Sequence, residues 1–139
     1  DVVTCYDVLE HSTNIKSNLA ELKRVLKREG ILLVQAPNYQ SLMAYLTGSK
    51  WDWWGVPDHV IHFSHHTLCK ILEDNGFKVI ISYTYDDQED YISNLKGVFS
   101  KSLLTKILYY FCIPILIVFE RVSWGLNKGG LSVVLVKKV

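Results

Sequence analysis

The stretch DVVTCYDVLEH, residues 1–11, places an apolar run directly before a group of ionisable side chains. The run at 2–6 has the length and the β-branched content that are typical of a short buried strand. Asp7, Glu10 and His11 follow where that strand is predicted to end. In open α/β sheets, ligands bind in the crevice outside the carboxyl ends of the strands. The first residues therefore predict a strand that leads into a functional site.

A helix and a second strand follow this strand. Apolar residues recur at spacings of four, three and four, at Ile15, Leu19, Leu22 and Leu26. This periodicity predicts a helix over 15–28. Thr13 or Asn14 is its expected N-cap, and Gly30 is the expected left-handed stop. The continuous apolar run ILLVQA at 31–36 predicts a strand buried on both faces, as in a parallel sheet. Strand, helix and strand then form a right-handed crossover unit.

The remainder of the chain continues the alternation of helices and strands. Residues 39–47 are compatible with a short helix, and a second amphipathic helix is expected between Ser64, its N-cap, and Gly76. Two further strands are predicted, FKVIISYTY at 77–85 and LSVVLVK at 131–137. The pattern is that of an α/β fold.

Composition fits one globular domain over residues 1–139, because 49% of the residues are hydrophobic and 21% are charged. The 15 basic and 14 acidic residues are interspersed, so we expect no nucleic-acid partner. Cys5, Cys69 and Cys112 lie far apart in apolar runs, as reduced core residues do. No signal peptide precedes the first strand, and we therefore expect a cytoplasmic protein.

Three motifs in this order carry a resemblance to a known family: DVVTCYDVLEH, then LAELKRVLKREGILLVQAPN, then WGVPDHVIHFSHHTLCKILEDNGFKVI. They resemble the second half of class I S-adenosylmethionine-dependent methyltransferases. Within that class they are most similar to the group that includes the ubiquinone-biosynthesis O-methyltransferases and other small-molecule methyltransferases. The resemblance covers residues 1 to about 85 and, more weakly, the last strand. One departure is Glu29, which stands where the family usually has proline before the glycine.

The resemblance implies an α/β fold with a partial Rossmann-like methyltransferase sheet, made of strands four to seven of seven. Two parallel strands would be followed by an antiparallel pair at one edge. The chain has no G-x-G-x-G motif, so we expect Asp1 to begin the fourth strand and the cofactor-binding half to be absent. The implied activity is methyl transfer from S-adenosylmethionine to an oxygen of a small-molecule acceptor. Tyr6, Asp7 and Val8 are the residues expected to line the cofactor pocket.

The residues after the first strand allow several roles. In ubiquinone-type relatives an E-x-x-E-H motif at this place is associated with a divalent metal, and the matching positions here are Asp7, Glu10 and His11. The alternatives are a general base or substrate contact at His11, or structural hydrogen bonding across the turn. We expect His11 to be catalytic without a metal. Glu10 and Asn38, the latter from the P-N motif, are expected to contact the substrate.

The loop before the second amphipathic helix is rich in histidine. A zinc site needs about four converging ligands, and Cys69 is assigned to helix packing, so zinc is not expected. The resemblance implies that this loop covers the substrate side of the site. It also implies that His59 or His62 is an acid–base or orienting group. Alternatively, His62 is a packing residue, and His65 and His66 are first-turn helix residues.

The same loop contains three tryptophans, Trp51, Trp53 and Trp54. Trp51 and Trp54 are expected to bind the substrate as an aromatic wall, although the same residues are equally compatible with anchoring the loop.

The apolar segment LLTKILYYFCIPILIVF, residues 103–119, lies within a predicted helical insertion over 93–125. It is shorter than a spanning helix and contains Lys106 and Pro114. A peripheral membrane helix is one alternative, because Lys101, Lys106 and Arg121 are suited to lipid headgroups. We expect instead a helical arm that buries its apolar side on the sheet or across a homodimer. A non-catalytic interaction or membrane-surface module derived from the fold is the alternative to an enzyme.

Overall fold

The computed structural model describes residues 1–87, 114, 115 and 117–139. Four strands form one sheet: β1 (Val2–Tyr6), β2 (Ile31–Pro37), β3 (Phe77–Tyr85) and β4 (Leu131–Lys138). Three helices connect the first three strands: α1 (Ile15–Val25), α2 (Leu42–Thr47) and α3 (His65–Asp74). Residues 117–125, which precede β4, are also helical.

The strand order in the sheet is β1-β2-β4-β3. β1 pairs with β2 in parallel, whereas β4 runs antiparallel to both β2 and β3. This arrangement confirms the predicted α/β fold, with a parallel pair followed by an antiparallel pair at one edge. It also brings the carboxyl ends of β1 and β2 to the same side of the sheet, where Asp7 and Asn38 follow them.

The core lies between the sheet and the helices α1 and α3. Alternate residues of β2 and β4 contribute to one cluster, and so do the apolar faces of both helices. Its fully buried members are Leu19, Leu32, Val34, Ala36, Leu68, Leu72, Val134 and Val136. Cys5 belongs to this cluster, and burial, helped by the nearby charge of Glu10, raises the pKa of its thiol to about 11. Cys5 is therefore an unreactive core residue, as the sequence predicts.

The helix starts agree with the predicted capping residues. Asn14 accepts a hydrogen bond from the backbone N–H of Ser17 at the start of α1. Ser64 forms a capping box with Thr67 at the start of α3, and His65 and His66 lie in its first turn. α2 begins at Leu42 rather than at 39, because Ser41 caps it by accepting from the N–H of Ala44.

The end of α1 differs from the prediction. The helix ends at Val25, and Leu26 is already extended. The left-handed residue of the turn is Glu29, with φ of 66°, and not Gly30. A Cβ atom on Gly30 would lie 2.9 Å from the Lys27 carbonyl oxygen, so this glycine provides space rather than a positive φ. Proline cannot adopt the φ of Glu29, so a proline at this position would require a different turn.

Only part of the predicted helical insertion is described. Residues 114, 115 and 117–125 are helical, whereas 93–113, which include Cys112, lie outside the described residues, so the insertion as a whole stays a prediction. Among the helices that the structure does describe, none is long and apolar enough to cross a bilayer.

Candidate functional site

The turn after β1 places Glu10 and His11 beside a distant loop. A short 3-10 helix, Leu9–His11, follows β1, and the buried side chain of Leu9 anchors it in the core. The carbonyl oxygen of Glu10 accepts hydrogen bonds from the backbone N–H groups of Val60 and Ile61, at 2.9 and 3.0 Å. These two bonds hold the loop against the turn and bring His59 next to Glu10 and His11.

Glu10, His11 and His59 form one cluster of ionisable groups. One potential ligand atom from each residue lies within 4.8 Å of those of the other two. The two imidazole rings pack edge to face, with their centroids 4.8 Å apart. Glu10 is buried, His59 is half-buried and His11 is exposed, so the cluster reaches from the interior to the surface.

The hydrogen bonds of the two histidines fix their neutral tautomers. His11 Nδ1 lies 2.9 Å from the carbonyl oxygen of Asp58, and His59 Nδ1 lies 2.9 Å from that of Trp53. A carbonyl oxygen only accepts, so each Nδ1 carries the proton and donates it. In each neutral ring Nε2 then has a free lone pair, as a general base or a metal ligand requires.

The environment of Glu10 disfavours the ionised form of its carboxyl group. Its side chain is 1% exposed, and neither carboxylate oxygen has a hydrogen-bond partner among the described residues. Burial raises the pKa of Glu10 and its own backbone N–H lowers it; Asp7 raises it, whereas His59 and His11 lower it. A buried carboxyl group without partners destabilises a fold, so its presence beside two imidazoles favours a functional role.

Gly55 allows His59 to occupy its position. Its φ is 51°, and a Cβ atom at this residue would lie 2.6 Å from the ring of His59. The N–H of His59 donates to the carbonyl oxygen of Gly55 at 2.9 Å, and the ring stacks on Trp53 with an interplanar angle of 21°. Gly55 was not among the sequence candidates; the only signal for it was a glycine between tryptophan and proline in WWGVP.

The expected cofactor residues lie at the carboxyl end of β1. The side chains of Tyr6 and Val8 are about half exposed there. Asp7 has φ of 50°, and its carboxylate accepts hydrogen bonds from the Gln35 side-chain amide, whose oxygen in turn accepts from the Tyr85 hydroxyl. Strain of this kind is concentrated at binding sites. Asp7 therefore belongs to a network with Gln35 and not to the cluster around Glu10.

His62 and the tryptophans form a separate group. His62 Nε2 donates to the carbonyl oxygen of Trp54 at 2.9 Å, and its ring packs against the Trp54 indole. Trp51 is buried and contacts Trp54 edge to face. Trp54 Nε1 donates to the carbonyl oxygen of Gly48. These contacts give Trp51 the anchoring role in the loop, and they leave His62 outside the Glu10 cluster.

Asn38, the expected substrate contact, has a structural role among the described residues. Its side chain is fully buried. The amide group donates to the carbonyl oxygens of Asn127 and Gly129, and its oxygen accepts from the backbone N–H groups of Gln40 and His65. Asn38 thereby joins the end of β2 to the start of α3 and to the turn before β4.

The fold of the chain is similar to that of a known protein. In solved structures, the fold is similar to the crystal structure of the [4+2]-cyclase SpnF, with a TM-score of 0.55 and 16% identity. That alignment covers 99% of this chain and 49% of the SpnF chain, so the chain spans about half the length of that protein. At this identity the likeness concerns the fold alone. A comparison with curated proteins gives no significant match.

A family model described as a methyltransferase domain matches residues 1–81, which is more than half of the 139 residues. The matched range includes β1, the cluster of Glu10, His11 and His59, and α3. The chain belongs to the methyltransferase domain family.

Proposed function

We propose that the chain is the acceptor-side part of an S-adenosylmethionine-dependent methyltransferase that methylates an oxygen of a small molecule. Membership of the methyltransferase domain family supports the reaction class. The ubiquinone-biosynthesis group, the chemical nature of the acceptor and the cytoplasmic location remain predictions from the sequence. The fold does not fix the reaction, since SpnF is named as a cyclase.

The observation that carries this proposal is the cluster of Glu10, His11 and His59 directly after β1. A methyl group on a sulfonium is already activated, so the protein has to align the acceptor and remove its proton. His11 is exposed and has a free Nε2, which makes it the group suited to accept the proton of an acceptor hydroxyl. His59 and the buried Glu10 lie behind it and stabilise the positive charge that His11 then gains.

The residues expected to contact S-adenosylmethionine form one wall of a pocket. Tyr6 and Val8 present exposed aromatic and aliphatic surfaces beyond β1, which suits the face of a purine or the carbons next to a sulfonium. The side-chain amide of Gln35 donates hydrogen bonds to the carboxylate of Asp7, which lies between Tyr6 and Val8 in the chain. When bound, the cofactor supplies the activated methyl group; the chain's own residues orient it and exclude water on one side.

A divalent cation at the cluster is a second candidate, favoured by one observation. Both oxygens of the buried Glu10 lack side-chain partners among the described residues, and one ring nitrogen of each histidine lies within 4.8 Å of the potential ligand atoms of the other residues. Two imidazoles and one carboxylate suit a transition-metal ion, and Nδ1 donation to a carbonyl oxygen is usual in histidine ligands. Asp7, the third group suggested by the sequence motif, is bound to Gln35 instead.

A non-catalytic module is less well supported. Such a module would have no use for a buried carboxyl group without partners, because an apolar side chain in place of Glu10 would stabilise the same turn. A buried Glu10 beside two histidines therefore favours chemistry at this site.

Substitution of His11 in the full-length protein tests the proposed role. We expect His11→Ala to lower methyl transfer to hydroxyl-bearing small molecules by about 10²-fold or more. Affinity for S-adenosylmethionine should change little, because His11 lies on the acceptor side. The measurement is the acceptor-dependent formation of S-adenosylhomocysteine from a panel of catechols and sugars, together with calorimetric binding of the cofactor.

His66→Ala is the matched control, since His66 is an exposed histidine in the first turn of α3. If both variants lose activity in parallel with thermal stability, His11 is structural and the proposal is wrong. Chelation distinguishes the second candidate: the general-base account predicts full activity after treatment with EDTA. Loss of activity that magnesium or zinc restores would assign Glu10, His11 and His59 as metal ligands.

A further inference from the structure

A line of hydrogen bonds crosses the sheet from β3 to the turn after β1. The hydroxyl of Tyr85, at the end of β3, lies 2.8 Å from the side-chain oxygen of Gln35 on β2. The side-chain nitrogen of Gln35 lies 3.1 and 3.3 Å from the two carboxylate oxygens of Asp7. Because β4 lies between β3 and β2, the side chain of Tyr85 reaches across a strand to make this contact. Tyr85 lies outside residues 1–81, so the match to the family model assigns it no role.

The direction of each bond in this line follows from the groups involved. A carboxylate only accepts, so the NH₂ group of Gln35 faces Asp7 and its oxygen faces Tyr85. The hydroxyl of Tyr85 must then donate, which requires its protonated form. Burial raises the pKa of Tyr85, and the charge of Asp7 raises it further, so the hydroxyl keeps its proton at neutral pH. The line therefore ends on the carboxylate of Asp7.

Gln35 is placed for these contacts by the alternation of side chains along β2. Its neighbours Val34 and Ala36 belong to the core cluster, so the side chain of Gln35 points to the other face of the sheet. It is only 9% exposed there, and a buried amide without hydrogen bonds is unfavourable. Asp7 accepts from its nitrogen and Tyr85 donates to its oxygen, so one orientation of the amide satisfies both groups.

Gln35 holds Asp7 through the backbone as well as the side chain. The backbone N–H of Asp7 donates to the carbonyl oxygen of Gln35 at 3.1 Å. The φ of Asp7 is 50°, a conformation that aspartate adopts more readily than most residues but still at a cost. The hydrogen bonds to Gln35 therefore fix the position of a carboxylate on a backbone that would otherwise relax.

The charge of Asp7 has no cationic partner among the described residues. The ion pairs in this part of the chain involve the carboxylates of other residues, namely Asp1, Glu21, Glu29 and Asp74. Asp7 is half-buried and lies between Tyr6 and Val8, which are expected to contact S-adenosylmethionine. The sulfonium of that cofactor is positive, whereas the thioether of its product, S-adenosylhomocysteine, is uncharged. A fixed carboxylate at this wall attracts the first compound more strongly than the second.

We propose that Tyr85 and Gln35 are positioning residues that hold the carboxylate of Asp7 at the cofactor wall, where it favours S-adenosylmethionine over S-adenosylhomocysteine. This inference rests on the proposed function, because it requires the cofactor to lie at the carboxyl end of β1. Tyr85 contacts neither compound in this role and acts only through Gln35. The preference promotes turnover, since the product is released more readily once the positive charge is lost.

Calorimetric binding of both compounds to the full-length protein tests this inference. The quantity of interest is the dissociation constant of S-adenosylhomocysteine divided by that of S-adenosylmethionine. Asp7→Asn should lower this ratio about fivefold, as expected for the loss of a charge pair at a solvent-accessible site. Asparagine tolerates the positive φ and can still accept from Gln35, so the turn should be preserved. Tyr85→Phe should lower the ratio about twofold, because Gln35 loses the bond that fixes its oxygen.

Tyr83→Phe is the matched control. Tyr83 lies two residues before Tyr85 on the same face of β3, and its ring packs near that of Tyr85, but its side chain is 49% exposed. This variant should leave the ratio unchanged. The side-chain NH₂ signal of Gln35 in the ¹⁵N-labelled protein gives a readout that is independent of the cofactor. It should shift in Tyr85→Phe and stay in place in Tyr83→Phe.

Two kinds of failure are distinguishable. Equal ratios in the unchanged protein, Asp7→Asn and Tyr85→Phe would overturn this inference and leave the proposed function standing. An equal loss in the two tyrosine variants, or a Gln35 signal that does not move in Tyr85→Phe, would also overturn it. If the unchanged full-length protein binds neither compound, the proposed function and this inference are both wrong.

Discussion

Glu10 is the residue at which stability and function are most clearly opposed. Its pKa is raised by burial above the ordinary 4.5, so folding favours the protonated carboxyl group. The contribution of Glu10 to the free energy of unfolding is therefore most favourable below pH 4.5 and is lost as the pH rises through the raised folded value. At neutral pH the folded protein either contains an ionised, buried Glu10 or keeps Glu10 protonated, although the unfolded chain would release that proton. Either state lowers the free energy of unfolding.

We expect Glu10→Gln to increase the free energy of unfolding at about pH 7.5 and to leave it nearly unchanged near pH 4.5. The same variant should lower methyl transfer, because the amide cannot stabilise a protonated imidazole. Urea unfolding at several pH values measures the first effect. Glu73→Gln, on the exposed side of α3, is the matched control and should change stability by less than about 0.5 kcal/mol at either pH. A Glu10→Gln protein that is less stable at neutral pH would show that the carboxylate is well paired.

Single residues could be assigned from the sequence where the chemistry is local. The adjacent Glu10 and His11 were identified because they directly follow a strand. The contribution of His59 was foreseen only through the family resemblance, since 48 residues separate it from His11 and the backbone bonds of Glu10 to Val60 and Ile61 determine its position. The substrate contact of Asn38 stays a prediction, and the sequence did not show that its buried side chain joins three segments of the fold.

The elements were predicted well where hydrophobic runs define them. β3 has the predicted bounds, and β2 and β4 each extend one residue further. The end of α1 was mispredicted because a glycine can be required for two reasons: it can adopt a positive φ, or it can leave space for a neighbouring atom. The sequence does not distinguish these two reasons. Gly30 is needed for space, and Glu29 adopts the left-handed conformation.

The α1–β2 turn provides a test at this scale. We expect Glu29→Gly to raise the free energy of unfolding by about 0.5 to 1 kcal/mol, because a left-handed conformation is unfavourable for a residue with a Cβ atom. Glu29→Pro should lower it by about 2 kcal/mol or more, since proline requires a φ near −65°.

Glu29→Ala is the control for the ion pair between Glu29 and Lys137. Both side chains of this pair are solvent-accessible, so its loss should change stability by less than about 1 kcal/mol. Thermal and urea unfolding of the three variants provide the comparison. Destabilisation by Glu29→Gly as large as that by Glu29→Pro would contradict the positive φ at this position.

In the whole molecule, the strand order places the residues that are expected to contact the cofactor at an edge of the described sheet. β1 is an edge strand of the described sheet, and Tyr6, Asp7 and Val8 lie at its carboxyl end. The parallel pair and the antiparallel pair were predicted through the family resemblance, whereas the insertion of β4 between β2 and β3 was not predicted. The sequence pattern predicted the number and type of the elements and the residues that follow them.

The central claim is that this chain supplies one wall of an S-adenosylmethionine site at the carboxyl end of β1. Few contacts are available from one wall, and each hydrogen bond contributes about 0.5 to 1.5 kcal/mol, so affinity should be in the millimolar range. Titration of the ¹⁵N-labelled chain with S-adenosylmethionine, followed by amide chemical shifts, tests this directly. We expect shifts centred on Tyr6, Asp7 and Val8 that saturate only at millimolar concentration. Micromolar affinity, or shifts confined to residues remote from the end of β1, would contradict the account.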